Sequence, residues 1–192
     1  TSGRGLKGNE KELDKLVEIY KYIGENTEKI KLCASHGICS KEALQKLYDA
    51  GVITYHHNLE SSRRYYPNVC TTHTYDDRIN TVKNAIAVGM AVCSGGIFGL
   101  GENIEDRIDM ALDIRDLGVV SVPINVLTPI PGTPFENNEA VNTYEILKTI
   151  SIYRFMMPDV FIRYCGGRIK LGEHVRTGMK CGVNSALTGN FL

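Results

Sequence analysis

The stretch Val92-Cys93-Ser94-Gly95-Gly96-Ile97-Phe98-Gly99-Leu100-Gly101-Glu102 sets a thiol and four glycines behind an apolar run, Ala87 to Cys93, of strand composition. Asn103 onward reads as a helix, so the glycines fall where a parallel strand hands over to a helix. Barrels and doubly wound sheets bind their ligands at that junction. Glycine accepts positive φ there and, lacking Cβ, lets a ligand approach the backbone. The same spacing also suits a plain βα turn, so the rest of the chain has to decide.

Upstream, Thr74 caps a helix with Ile79, Val82 and Ile86 on one face, stopped at Gly89. Before it, Asn58 to His73 is a long polar and aromatic loop, a length more often functional than decorative. It follows a strand, Val52 to His57, and a helix capped by Ser40 that turns Ala43, Leu44 and Leu47 inward and closes at Gly51. A strand at Lys29 to Ala34 precedes that helix. The first helix is capped by Asn9, with Glu12 completing a capping box; Leu13, Leu16, Val17 and Tyr20 share a face, and Gly24 ends it.

Downstream come a helix from Ile104 to Leu117 ending at Gly118 and a strand from Ser121 to Leu127. Thr128 to Pro134 is a rigid loop, because its prolines fix φ and remove donors. A helix from Asn142 to Met157, halted by Pro158, leads to a last strand, Val160 to Cys165. The tail, 171–192, holds a helical turn or two. Five strands alternating with helices require parallel pairing and right-handed crossovers. An eightfold barrel takes about 250 residues. The expected fold is therefore α/β, the C-terminal part of a (β/α)8 TIM-type barrel incomplete at its N-terminus, with 1–192 one partial barrel and 171–192 its tail. The glycine-rich opening, Thr1 to Gly5, adds to the expectation of a cut start. An open doubly wound sheet satisfies the same pattern.

The composition is that of a soluble globular protein: 192 residues, 43% hydrophobic and 23% charged, with 22 basic and 22 acidic residues. This balance argues against a nucleic-acid partner or a membrane surface, and the default expectation is the cytoplasm. The six cysteines, Cys33, Cys39, Cys70, Cys93, Cys165 and Cys181, form no CxxC pair. They read as reduced thiols, with Cys39, Cys70 and Cys181 incidental. His36, His57, His73 and His174 show no recurring metal spacing.

Strand alternation then sorts the polar residues. If Ile30, Leu32, Val122, Ile124, Val126, Ile162 and Tyr164 face covering helices, the opposite face receives Cys33, Asn125, Arg163 and Cys165. His56 pairs in the same way with Asn58, and Cys93 with Gly95. Burying such groups without partners costs about 1–3 kcal/mol each. Something polar or metallic is expected among them, and thiolates select soft metals and iron–sulfur clusters.

The motifs His57-Asn58-Leu59-Glu60-Ser61-Ser62, Tyr66-Pro67-Asn68, Thr71-Thr72-His73-Thr74-Tyr75, Arg78, Cys93 to Ile97, Gly99 to Glu102, Val122 to Asn125 and Pro131 to Pro134 resemble the biotin synthase family of radical S-adenosylmethionine enzymes along essentially the whole chain. The resemblance implies a βα barrel in which a 4Fe-4S cluster cleaves S-adenosyl-L-methionine to a 5′-deoxyadenosyl radical. Hydrogen is taken from two carbons of dethiobiotin, and an auxiliary cluster, 2Fe-2S or a variant, gives the sulfur of biotin. It further implies Cys33, Cys93 and Arg163 as auxiliary-cluster ligands. Asn58 and Glu60 become partners of the ribose and the substrate, Arg78 of the methionyl carboxylate, and Asn125 of the substrate ureido group. Gly95, Gly96 and Ile97 become a shelf for adenine. Partners expected with it are an electron donor of the flavodoxin or ferredoxin kind and a second copy in a homodimer.

The chain departs from that pattern in three places. No three cysteines make the CxxxCxxC loop of the radical-generating cluster, whose ligands are expected upstream, outside this chain, so the piece alone is expected to be inactive. An auxiliary cysteine is expected near Thr1 or Ser2, where hydroxyls stand. Cys165 is an added thiol on the arginine strand and is read as the replacement ligand. Two other readings stay open: a radical S-adenosylmethionine barrel acting on a different small molecule, and a non-catalytic partial barrel that self-associates.

Overall fold

The computed structural model describes residues 5–6 and 9–188. The readings made at Thr1 and Ser2 therefore fall outside the described residues. Two compact units result, and they do not follow chain order: one takes the chain up to Asn58 with Tyr75–Cys93, the other Leu59–Thr74 with Ser94 onward.

The first unit contains α1 (Glu10–Asn26), β1 (Leu32–Ala34), α2 (Lys41–Asp49), β2 (Val52–His56), α3 (Tyr75–Ala87) and β3 (Ala91–Cys93). The Asn9 amide accepts from the Glu12 N–H at 3.3 Å and donates to its carboxylate at 2.6 Å, while Ser40 Oγ accepts from Ala43 N–H at 3.2 Å. Both caps thus sit where the sequence placed them. β1, β2 and β3 pair in parallel, with Ala34 opposite Tyr55 and Tyr55 opposite Val92. These three form a row on the buried face.

Two of the residues expected to be covered are exposed. Ile30 is 61% exposed because pairing begins only at Leu32, and Ile86 is 38% exposed at the rim of a helix face centred on Ile79, Val82 and Ala85. The run Ala87 to Cys93 is also not one strand. Gly89, at φ +94°, ends α3 in a Schellman turn, its own N–H bonding Ile86 O at 2.9 Å and Met90 N–H bonding Ala85 O at 3.0 Å. The strand proper waits until Ala91.

A polar knot docks α1. Tyr20 Oη lies 2.9 Å from Nε2 of the buried His36, whose N–H reaches Tyr55 Oη at 3.2 Å, and Tyr55 donates to Gly37 O at 2.8 Å. Burial lowers the His36 pKa, because the charged ring is the form that loses most solvation.

The second unit contains β4 (Gly96–Phe98), α4 (Ile104–Leu117), β5 (Ser121–Val126), α5 (Thr143–Met156), β6 (Phe161–Tyr164), α6 (Val175–Lys180) and β7 (Ser185–Ala186). β5, β6 and β7 are parallel in that order, and β4 pairs with β5. Val122, Ile124, Val126, Ile162 and Tyr164 are buried, as the alternation required, with Met110, Ile114, Ile146, Ile150 and Tyr153 from α4 and α5. β7 and its register, Arg163 opposite Ser185, were not expected; a two-residue strand carries no periodicity to read.

The glycine stretch is likewise not all loop, since Gly96–Phe98 is a strand. Its first residue, Gly96, stands opposite Ile124, and just before it Gly95 meets Pro123, which has no N–H to give the ladder. A Cβ at Gly95 would collide with the Pro123 carbonyl oxygen and ring. Only glycine lets the two backbones come this close.

Two outcomes follow in the intact protein. Gly95→Ala is expected to cost about 2 kcal/mol by forced separation of these backbones, whereas Gly24→Ala, whose Cβ would meet only Leu32 Cδ1 at 3.8 Å within α1, is neutral or stabilising; denaturant unfolding checks both. For His36 the folded pKa lies below the unfolded one, so its stabilisation is complete above about pH 6.5. It is lost as pH falls from there through the folded value. Wild type should lose melting temperature below pH 6.5 more steeply than His36→Gln.

Candidate functional site

The first unit brings together several of the residues singled out in the sequence. Because Thr54 lies opposite both Cys33 and Ala91, and His56 opposite Cys93, the side chains of Cys33, His56 and Cys93 share one face. Cys33 is exposed and Cys93 buried. Beyond the end of β2, His57 N–H bonds Cys93 O at 3.0 Å, and the next residue, Asn58, accepts on its carbonyl from Arg78 Nη1 at 2.8 Å. Arg78 on α3 is thereby tied to Asn58.

The second unit builds a platform from Glu60, Gly95, Gly96, Ile97 and Asn125. Gly95 O accepts from Leu59 N–H at 2.9 Å and Glu60 N–H at 3.1 Å, and Glu60 O accepts from Ile97 N–H at 3.0 Å. Glu60 thus lies along β4 like a further strand residue, bridged to Gly96. Its φ of +72° is the one positive value among the described non-glycine residues. Such a conformation costs about 1–2 kcal/mol and persists because the bonds on either side over-determine it.

A Cβ at Gly96 would strike Glu60 O and the Met110 thioether, and one at Gly101 the Tyr65 hydroxyl. These glycines therefore make room for the protein's own atoms before any ligand. Asn125, opposite Ile97, donates through Nδ2 to Gly96 O at 3.1 Å and accepts on Oδ1 from Gly166 N–H at 3.1 Å. One amide N–H and one lone pair remain beyond those two bonds to orient a ligand.

Arg163, opposite Pro123, and Cys165, two residues on, share the face of Asn125. Arg163 Nε, Ser121 Oγ and Ser94 Oγ are buried and find no hydrogen-bond partner among the described residues. Leaving such atoms unmet costs about 1–3 kcal/mol each. A guanidinium, two hydroxyls and a thiol fit an anionic inorganic group in their donor chemistry. Within the described residues, no three His, Cys, Asp or Glu side chains gather closely enough to hold a metal ion.

Three further arrangements escaped the sequence reading. The Glu102 carboxylate is buried; it accepts from Gly99 N–H at 2.9 Å and Arg107 Nε at 2.8 Å, and the guanidinium carbon lies 5.1 Å from the Phe98 ring centroid. This pair closes the turn in which Gly99 and Gly101 adopt φ of +102° and +107°. Asp106 caps α4 with Asn103 and also binds Ser62 and Arg64. Burial pushes its pKa up, but the Ser62 hydroxyl, the Asn103 N–H and the Arg64 guanidinium outweigh that and hold it below the usual value. The Asn103-x-x-Asp106 spacing is readable as a cap; its loop partners are not.

The third is Cys70, whose Sγ lies 3.3 Å from Thr72 Oγ1 and 3.4 Å from His73 Nδ1. Burial raises the thiol pKa, and hydrogen bonds led by Thr72 reverse this and bring it to about 7.

Residues 6–114 match the model of the Radical SAM superfamily, and residues 123–192 that of the Biotin and Thiamin Synthesis associated domain. The chain belongs to the radical SAM superfamily, whose members use S-adenosylmethionine and an iron–sulfur cluster. It is 83% identical over 192 residues to the biotin synthase of Fusobacterium nucleatum subsp. nucleatum, covering 100% of this chain and 53% of that protein. It is 56% identical over 191 residues to the biotin synthase of Campylobacter hominis, covering 100% of this chain and 58% of that protein. The chain thus spans little more than half the length of these relatives.

Among solved structures, methylornithine synthase superposes with a TM-score of 0.78 at 22% identity over 90% of this chain and 51% of that one. The FeFe-hydrogenase maturase HydG of Carboxydothermus hydrogenoformans gives 0.76 at 21% over 92% and 43%. These likenesses establish the fold, an α/β partial barrel of the radical SAM kind, as the alternation of strands and helices indicated. Within the described residues, no helix is long and apolar enough to cross a membrane.

Alkylation of Cys70 by iodoacetamide, followed by mass spectrometry across pH, should titrate with a midpoint about pH 7. Thr72→Val removes the leading hydrogen bond and is expected to move that midpoint upward.

Proposed function

We propose that the intact protein inserts sulfur into dethiobiotin to make biotin, as a biotin synthase, and that this chain supplies much of the substrate-facing and auxiliary-cluster side of the barrel. The observation that supports this reading is the 83% identity to a biotin synthase sustained across all 192 residues, with matches to two family models in sequence order. S-adenosylmethionine with a 4Fe-4S cluster held outside this chain would supply the radical, and an auxiliary 2Fe-2S or variant cluster the sulfur. A flavodoxin or ferredoxin would deliver electrons.

This chain's residues have distinct tasks in that reaction. Cys33, Cys93 and Arg163, with Cys165 as a further ligand, hold the auxiliary cluster. The Arg163 Nε–H and the Ser121 and Ser94 hydroxyls, buried without partners among the described residues, would donate hydrogen bonds to its sulfides. Arg78 receives the methionyl carboxylate, and its bond to Asn58 O sets its direction. Asn58 and the Glu60 carboxylate hold the ribose hydroxyls and the substrate, and Ile97 lies against adenine. Asn125, already fixed by Gly96 O and Gly166 N–H, offers its remaining N–H and lone pair to the ureido group. A pre-bonded amide loses little entropy on binding, so it orients the substrate at low cost.

The test is anaerobic reconstitution of the full-length protein, with iron, acid-labile sulfide and biotin measured together. Wild type is expected to convert dethiobiotin to biotin. Cys93→Ala, and by the same argument Cys33→Ala and Cys165→Ala, should lose auxiliary iron and sulfide while still cleaving S-adenosylmethionine. Asn125→Ala should raise KM for dethiobiotin about tenfold, the worth of roughly 1.4 kcal/mol. Wild-type protein with both clusters that forms no biotin overturns the proposal; unchanged auxiliary iron in Cys165→Ala removes that residue from the ligand set.

A further inference from the structure

We propose that Asp106 is a positioning residue, the point through which helix α4 sets the geometry of Glu60. The inference rests on the reading of Glu60 as a ligand of S-adenosylmethionine and goes beyond it. A capping box needs one carboxylate oxygen, and Asp106 Oδ2 fulfils that duty by accepting from Asn103 N–H at 3.1 Å. Its other oxygen serves the loop. Oδ1 accepts from Ser62 Oγ at 2.6 Å and from Arg64 Nε and Nη2 at 3.1 and 2.8 Å.

The loop side is built to match. The Ser62 hydroxyl, while donating to Asp106, accepts from Tyr65 N–H at 3.0 Å, and Tyr65 Oη donates to Leu100 O at 2.9 Å. Ser62 is fully buried two residues after Glu60, whereas the Arg64 side chain is 61% exposed and lies over the carboxylate from outside. Glu60 is therefore held from two directions: its backbone on Gly95 and Ile97, and the chain that leaves it on Asp106. A residue at positive φ relaxes toward ordinary backbone once one of its two anchors is lost. The expected consequence is a displaced Glu60 carboxylate.

The test measures equilibrium binding of S-adenosylmethionine to the reconstituted full-length protein by calorimetry, without reductant, so that no turnover occurs. Wild type, Glu60→Ala, Asp106→Asn and the double variant are compared, with melting temperatures alongside. Asparagine at 106 retains an acceptor for the Asn103 N–H, so the helix cap survives. Glu60→Ala and Asp106→Asn should each weaken binding roughly tenfold, the low end of what outer partners contribute. The double variant should bind no more weakly than Glu60→Ala, because Asp106 acts only through Glu60. A merely structural Asp106 would give two losses that multiply, and that result overturns the inference, as does wild-type binding in Asp106→Asn. If Glu60→Ala binds normally, the role of Glu60 itself fails and the inference falls with it. Should Asp106→Asn not fold, Ser62→Ala, which leaves carboxylate and cap intact, is expected to show the same non-additivity.

Discussion

The arrangement of the site depends on a close approach in the second unit, that of Gly95 to Pro123. A strand can pass this near a proline ring and carbonyl only if it carries no Cβ at the crossing, and Pro123 can sit inside a sheet only where no partner demands its N–H. The two exceptions to ordinary strand chemistry satisfy each other. β4 resumes directly afterwards in register with β5, which sets Ile97 opposite Asn125 and presents Gly96 to the backbone of Glu60. A methyl group at position 95 or 96 would separate these elements.

Around that crossing, two buried carboxylates do complementary work. Glu102 is satisfied from its own turn and helix by Gly99 N–H and Arg107, and so closes the glycine segment on itself. Asp106, one helical turn later, is satisfied largely by the loop carrying Ser62 and Arg64, and so joins that loop to α4. Burying a carboxylate is unfavourable unless its lone pairs are met, and here they are met by guanidinium and backbone donors and, for Asp106, by the Ser62 hydroxyl as well. Arg163 Nε and the Ser94 and Ser121 hydroxyls, in the same unit as Asn125, are buried without a hydrogen-bond partner among the described residues. Saturated carboxylates give rigidity to the frame, and unsaturated donors leave capacity for a bound group.

Much of this was legible in the chain. Asn9 and Ser40 cap helices through contacts three residues away, and the alternation of the buried Val122, Ile124 and Val126 puts Asn125 on the opposite face. Where the reading slipped, the deciding contact was distant. Composition suits Ile30 to a strand, but pairing with β2 starts at Leu32; glycine content suits Gly96 to Phe98 to a loop, but β5 makes them a strand; β7 forms along the edge that Arg163 and Tyr164 of β6 offer.

By itself, then, the sequence determined the order and kind of elements, the parity of their side chains and the chemical character of the polar face, because capping and periodicity act within a turn or two of chain. The tertiary structure alone decided where strands begin and end, which glycines yield to Pro123, Met110 or Tyr65, and that Asp106 answers to Ser62 and Arg64 more than 40 positions away. Those outcomes depend on distances across the fold, and no local pattern of residues encodes such distances.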